Sequence, residues 1–135
     1  MTKEDKSLLV KDLCARLPYG VVMNVTEPGE DNVNFNCFLG PDVIKEIISE
    51  TGHFKYKPYL RSMSSMTAEE NAEWHNLTGH DSNVLDYIYV DDTDSVQDCL
   101  TDFVDWLNAH HFDYRGLIEK GLAIEALPQM YVFQA

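Results

Sequence analysis

Apolar residues recur at Leu9, Leu13 and Leu17, with Val10 and Cys14 beside them. That i, i+4, i+8 spacing marks one helical face and predicts a helix over 5–17. Asp5 or Ser7 can cap its start, and Pro18 ends it. Tyr19 and Gly20 turn the chain into the β-branched run 21–25, which reads as a strand. Residues 26–32 form a turn by composition. The alternation of Val33, Phe35 and Cys37 within 33–39 then marks the partner strand of a hairpin. Pro41 sits near the first position of a second helix, with Val43, Ile44, Ile47 and Ile48 on one face and Gly52 as its C-terminal cap. A strand over 43–48 stays open as the alternative, because the segment is short and rich in isoleucine.

Residues 53–57 predict a short strand closed by Pro58. Thr67 and Glu70 have the spacing of a capping box, in which each side chain bonds the other's backbone amide. The helix that follows is expected to run to about Leu77 and stop near Gly79. Residues 84–90 are nearly apolar throughout and predict a central strand. Acids at 91, 92 and 94 then cap a helix over 95–110. Its Val96, Cys99, Leu100, Phe103, Trp106, Leu107 and His110 share one broad stripe, so it is expected to be the central packing helix. The tail is broken by Gly116, Gly121 and Pro128, and predicts a turn of helix followed by an extended segment packed on the body. Mixed elements without regular β–α alternation define the expected class. It is one α+β domain over 1–135, with a small, mainly antiparallel sheet packed by N-terminal and C-terminal amphipathic helices.

Charge narrows the function. Twenty-three acids against ten bases give a net charge of −13, which excludes a general phosphate-backbone binder and disfavours anionic membranes. The N-terminus is highly charged, the apolar run after it is too short for a signal peptide, and no run approaches the ~18 apolar residues of a membrane span. A cytoplasmic location is expected. Cys14, Cys37 and Cys99 are odd in number and far apart, so each reads as a small buried hydrophobe rather than a disulfide or zinc ligand.

No motif carries catalysis outright, and neither a metal nor a cofactor is expected. His110, His111 and Asp113 are the most tempting group, since two imidazoles and a carboxylate suit a transition metal. Adjacent helical residues point about 100° apart, however, and a histidine in a last turn suits the helix dipole. The acids from Asp91 onward fail the calcium-loop pattern, with Val96 at the sixth position and Asp102 at the twelfth. Cys99 has no cationic neighbour in sequence to favour a thiolate, and Ser64 and Ser65 lie in no nucleophile-elbow pattern. Between Arg61 and Arg115 lie twelve acids and no lysine or arginine. Asp94, Asp98, Asp102 and Asp105 span about 16 Å of helix, too sparse alone to imitate duplex DNA.

Three phrases carry a resemblance: KSLLVKDLCARLPYG from Lys6, KPYLRSMSSMT from Lys57, and WLNAHHFDYRGLIEKGLA from Trp106. Together they cover about a third of the chain. They resemble a family of small uncharacterised proteins of gut anaerobic bacteria and their prophage-like or mobile regions. The family usually has proline where this chain has Ser62, and often tyrosine at Trp106. The resemblance implies an origin and brings no activity or site residues.

The expected function is that of a small acidic accessory protein, a non-enzymatic module that binds another protein. The ridge of Asp98, Asp102 and Asp105 would meet a partner with a basic face, and Phe112, Tyr114 and Arg115 would extend the contact. Tyr56 and Tyr59 are the further place to look. The alternatives are an acidic inhibitor or decoy of a nucleic-acid-binding enzyme, and a small metal-dependent hydrolase using His110, His111 and Asp113. Acids clustered at a concave groove would favour the decoy. A cleft uniting the three residues would favour the hydrolase, and an exposed apolar patch would favour the binding module.

Overall fold

A computed structural model describes residues 2–27, 34–49, 54–78 and 103–131. The first helix, α1 (Lys3–Arg16), starts two residues earlier than the expected 5–17. Thr2 is the cap, its hydroxyl accepting from the Asp5 amide at 3.0 Å, which leaves Glu4 and Asp5 in the first turn where the dipole favours them. A single tight turn at Leu17–Tyr19 holds Pro18, and Gly20 follows in the left-handed region at φ 67°.

The hairpin forms as expected. Strand β1 (Val22–Thr26) pairs antiparallel with β2 (Asn34–Phe38), so that Met23 faces Cys37 and Val25 faces Phe35. Helix α2 (Pro41–Ser49) settles the 43–48 ambiguity in favour of helix, with Ile44 and Ile47 buried and Ile48 exposed. Strand β3 (Lys55–Leu60) pairs antiparallel with β1, and the two-residue β4 (Ile124–Glu125) pairs parallel with β3. The order is β2-β1-β3-β4. The chain is an α+β protein whose small sheet is mixed. Three strands are antiparallel, and the tail adds the parallel fourth.

Pro58 does not close β3. It lies inside the strand, where β3 changes partners: Lys55 to Pro58 register with β1, and Tyr59 and Leu60 register with β4. A proline is tolerated there because the ladder is already changing hands. The tail completes the ladder with a side chain. Val22 N–H donates to the Tyr131 hydroxyl at 2.9 Å, and that hydroxyl donates to the Tyr59 carbonyl at 2.7 Å. Burial pushes the Tyr131 phenol up to about 12, which keeps its proton available for this rung.

Side-chain alternation gives the sheet two different faces. Met23 and Val25 point into a cluster with Leu9, Leu13, Ile47 and Leu60. On the opposite face Asn24 donates through Nδ2 to Asn34 Oδ1 at 2.6 Å, and lies 3.3 Å from the Tyr59 hydroxyl. The expected capping box is present: Glu70 N–H donates to Thr67 Oγ1 at 3.1 Å, and Thr67 N–H to Glu70 Oε1 at 3.0 Å. It opens α3 (Ala68–Thr78).

Residues 103–109 are helical (α4). The strand expected over 84–90 and the helical residues 95–102 lie outside the described residues. Phe103 and Leu107 are buried as expected, and among the described residues they pack with Trp74, Phe112 and Tyr114 in a cluster separate from that of Leu9, Leu13 and Met23. The cysteine expectation also needs correction. Cys14 is exposed because the buried stripe of α1 runs through Leu9, Asp12, Leu13 and Arg16, Cys37 on β2 is half-buried, and Cys99 lies outside the described residues. Among the described residues, no helix is long and apolar enough to cross a membrane.

Two of the residues in that stripe are charged. Arg16 and Asp12 have fully buried side chains, with Arg16 Nε 2.7 Å from Asp12 Oδ2. Arg16 Nη2 also donates to the Phe112 carbonyl at 2.6 Å, and Arg115 Nε donates to Asp12 Oδ1 at 3.0 Å. Asp12 therefore serves two guanidinium groups on segments a hundred residues apart in sequence. Removing one partner of a buried ionic group typically costs about 3–5 kcal/mol. Asp12→Ala is expected to lose stability on that scale in urea unfolding. Asp105→Ala, at an exposed position, is expected to stay within about 0.5 kcal/mol of the parent.

Candidate functional site

Segment 110–115 is held between two arginines. Arg16 reaches the Phe112 carbonyl from α1, and the Arg61 guanidinium lies 4.3 Å from the Phe112 ring centroid. Backbone bonds add to this: Arg61 N–H donates to the His111 carbonyl at 2.7 Å, and Asp113 N–H to the Arg61 carbonyl at 2.8 Å. Arg61 is itself fixed by Glu70, at 2.6 Å between Nη2 and Oε1. Burial raises the Glu70 carboxyl, but its bonds from Arg61 and Thr67 outweigh that and hold it below the ordinary range.

The tempting trio separates into three structural roles. His110 Nδ1 lies 2.9 Å from the Trp106 carbonyl, and its ring stacks on Trp106 at 4.2 Å. His111 occupies the left-handed position after α4 at φ 63°. There Phe112 N–H reaches the Leu107 carbonyl at 2.9 Å and His111 N–H the Asn108 carbonyl at 3.1 Å. This is the double bond of a Schellman closure, with histidine in the place glycine usually takes. The His111 ring is buried and stacks on Tyr131 at 3.7 Å. Asp113 accepts from the Leu117 and Ile118 amides, both at 2.9 Å, and so caps the next turn. Among the described residues, no three His, Cys, Asp or Glu side chains converge in a group that could hold a metal.

The expected contact surface is also rearranged. Phe112 is 0% exposed and Tyr114 5%, so both are interior side chains and not surface contacts. They are drawn inward because the segment lies between α1 and Arg61, and Tyr114 donates to Asn108 Oδ1 at 2.9 Å. Arg115 is half-buried and bound to Asp12. Asp105 is exposed, whereas Asp98 and Asp102 lie outside the described residues.

A different feature lies along β3. The turn that Asp113 caps runs through 117–121 and closes at Gly121, where φ is 74° and Leu122 N–H returns to the Leu117 carbonyl at 2.9 Å. Between this turn, α1, α2 and the start of β3 opens a groove of about 510 Å³. Leu9, Ile47 and Leu122 supply apolar surface, and Phe54 with the first residues of β3 forms one wall. Lys55, Lys57 and Lys120 line it and are exposed. Among the described residues, no side-chain hydrogen bond or ion pair engages these three lysines. Asp5 and Glu46 are the acids of the lining.

Glu46 accepts a hydrogen bond from the Tyr56 hydroxyl. Burial, that bond and the Glu46 charge push the Tyr56 phenol up to about 12. Burial, followed by the Glu46 charge, also raises the Cys37 thiol. Beyond the groove mouth the apolar surface continues: Phe54 is 38% and Phe35 46% exposed, with ring centroids 6.2 Å apart.

As a candidate contact, only Tyr56 is visible in the sequence alone. The Lys55-Tyr56-Lys57-Pro58 run carries the lysines and proline typical of a strand edge, which is the local signal that could have pointed to the rest. Lys120 comes from the far end of the chain. Comparison of the chain with protein-family models, curated proteins and solved structures gives no match.

Burial pushes the His111 imidazole down to about 4, and the Arg16, Arg61 and His110 charges act in the same direction. Between about pH 6.5 and 4 the unfolded chain therefore binds a proton that the folded chain excludes. The His111 contribution is present above about pH 6.5 and lost as the pH falls through this window, by on the order of 3 kcal/mol. His111→Asn, which accepts the same left-handed backbone, is expected to remove that part of the pH dependence. Urea midpoints of parent and variant at pH 7 and pH 4.5 test this, and an equal fall in both rejects the assignment.

Proposed function

We propose that this chain is a small non-enzymatic protein-binding module and that the groove along β3 is its contact surface. The observation that carries the reading is the exposed apolar pair Phe54 and Phe35 at the mouth of a groove whose floor reaches the buried Leu9 and Ile47. Apolar surface of this kind marks interaction sites on small proteins.

The chemistry of the lining supports binding over turnover. A phenol held near 12 stays protonated at neutral pH and is no base. Cys37 is not among the lining residues, and its thiol, raised above the ordinary value by burial, is a poor nucleophile. The residues that suggested a hydrolase are spent on a helix closure, a ring stack and a turn cap. The partner's sign needs revision at this surface. The acidic sequence suggests a basic partner, but three lysines and two acids line the groove, one of the acids bound by Tyr56.

A photo-crosslinking residue placed at Phe54 is expected to give discrete adducts with other polypeptides in a lysate of the native cell. The same residue at Ser64, exposed and outside the groove lining, is expected to give none. Absence of adducts at Phe54 in a protein shown to be folded by circular dichroism overturns the reading.

A further inference from the structure

The groove has a feature that its lining residues alone do not convey: one of its walls is the free edge of a strand. In the antiparallel pairing of β1 with β3, alternate residues of β3 spend their N–H and C=O groups on β1, and the residues between point theirs outward. From Tyr59 onward that outer edge is covered. Tyr59 and Leu60 pair with β4, Ala126 N–H donates to the Leu60 carbonyl at 2.7 Å, and Arg61 bridges to Phe112. The Val21 carbonyl accepts from Leu39, so Asn24 and Thr26 turn toward β3 and bond Lys57 and Lys55; Tyr56 between them points its N–H and C=O outward, and the β4 ladder reaches no further back than the Pro58 carbonyl. The uncovered stretch, Lys55 to Lys57, is the one that lines the groove.

We infer that the groove takes an extended acidic peptide, which adds to β3 as a strand beside β4, with carboxylates meeting Lys55, Lys57 and Lys120 and apolar side chains entering toward Leu9, Ile47 and Leu122. This rests on the protein-binding reading and names its occupant. Strand addition supplies affinity through the main chain and specificity through alternate side-chain sites. In an extended segment successive side chains face opposite ways, so one peptide presents both carboxylates and apolar groups. The sheet edge, the apolar surface and the unengaged lysines each meet a different part of such a ligand. A helical ligand would leave the open backbone groups of β3 unpaired, and a basic one would meet the three lysines. Lysines beside a strand edge also have a simpler use, which is to repel other strands. The two roles predict opposite behaviour toward acidic peptides.

The probe is an acetylated, amidated nonapeptide alternating glutamate and valine, titrated into the full chain by calorimetry at moderate ionic strength. Saturable binding is expected, with slowed hydrogen exchange at the outward Tyr56 amide. The matching lysine–valine peptide is expected not to bind. The acidic peptide N-methylated at alternate residues is expected to lose affinity, because methylation removes the strand-pairing donors. Reversing the rim with Lys55→Glu, Lys57→Glu and Lys120→Glu together is expected to weaken the acidic peptide by about tenfold or more. All three positions are exposed, so thermal unfolding of the variant should match the parent.

Equal binding of the lysine peptide, indifference to N-methylation, or exchange protection confined to other strands each overturns the inference. No saturation by about 1 mM does so too, and leaves the lysines as guards of the edge. Adducts at Phe54 in the crosslinking experiment, together with failure of the acidic peptide, would keep the binding module and reject this occupant. Loss of both rejects the module itself.

Discussion

Arg16 has no access to solvent, and nearly everything distinctive about this fold passes through its guanidinium. Within α1 it is paired with Asp12. Across the chain it donates to the Phe112 carbonyl. Asp12 returns the link by accepting from Arg115. A buried ion pair is poor evidence for stability in itself, because desolvation offsets the attraction unless the remaining donors and acceptors are met. Here Nη1 has no hydrogen-bond partner among the described residues, so the arrangement is not an optimised source of stability. What it supplies is placement. It selects one position for segment 112–115 against α1, and an apolar pair of the same size could not specify that with directional bonds.

That placement has consequences further along the chain. With segment 110–115 held by Arg16 and Arg61, Asp113 is oriented to cap the 117–121 turn. The turn in turn sets Lys120 and Leu122 against the start of β3 and delivers β4 to Tyr59 and Leu60. The tail then returns Tyr131 to bridge β1 and β3 with its hydroxyl, its ring stacked on His111. The outer edge of β3 is thus divided at Pro58. The later half is covered by the tail, and the earlier half is left open beside the groove.

Local features of this architecture were legible in the sequence. The Thr67–Glu70 box, the β1–β2 hairpin and the isoleucine face of α2 depend on neighbours within a few positions, and residue spacing reports them directly. The buried charges were not legible. Asp12 and Arg16 at i, i+4 read as an ordinary solvent-facing pair, and their burial is decided by a carbonyl 96 residues away. Phe112 and Tyr114 looked like contact residues for the same reason. They lie in an irregular segment with no period to reveal which way they face. Trp74, a largest member of the second cluster, drew no attention because α3 is polar around it. The candidate groove was the least visible feature, since its walls come from residues near positions 9, 47, 55 and 121.

The distribution of positive charge follows from the same division between inside and outside. The chain has only three arginines, and all of them are engaged in or around the clamp: Arg16 and Arg115 on Asp12, and Arg61 on Glu70 and the Phe112 ring. A planar guanidinium suits this use, because it can satisfy several fixed acceptors and lie against a ring at once. The seven lysines are left as the cations of the surface, and three of them line the groove. A net charge of −13 therefore describes the field at a distance, not the surface at this site. Exposed charges are screened within about 10 Å at 0.1 M salt, so a ligand already in the groove responds chiefly to the lysines beside it. At longer range the acidic surplus slows the approach of any anionic ligand. An acidic strand should therefore bind more readily as salt rises from very low values, and then less so as the rim itself is screened. Such a non-monotonic salt dependence is what a cationic groove on an acidic protein requires.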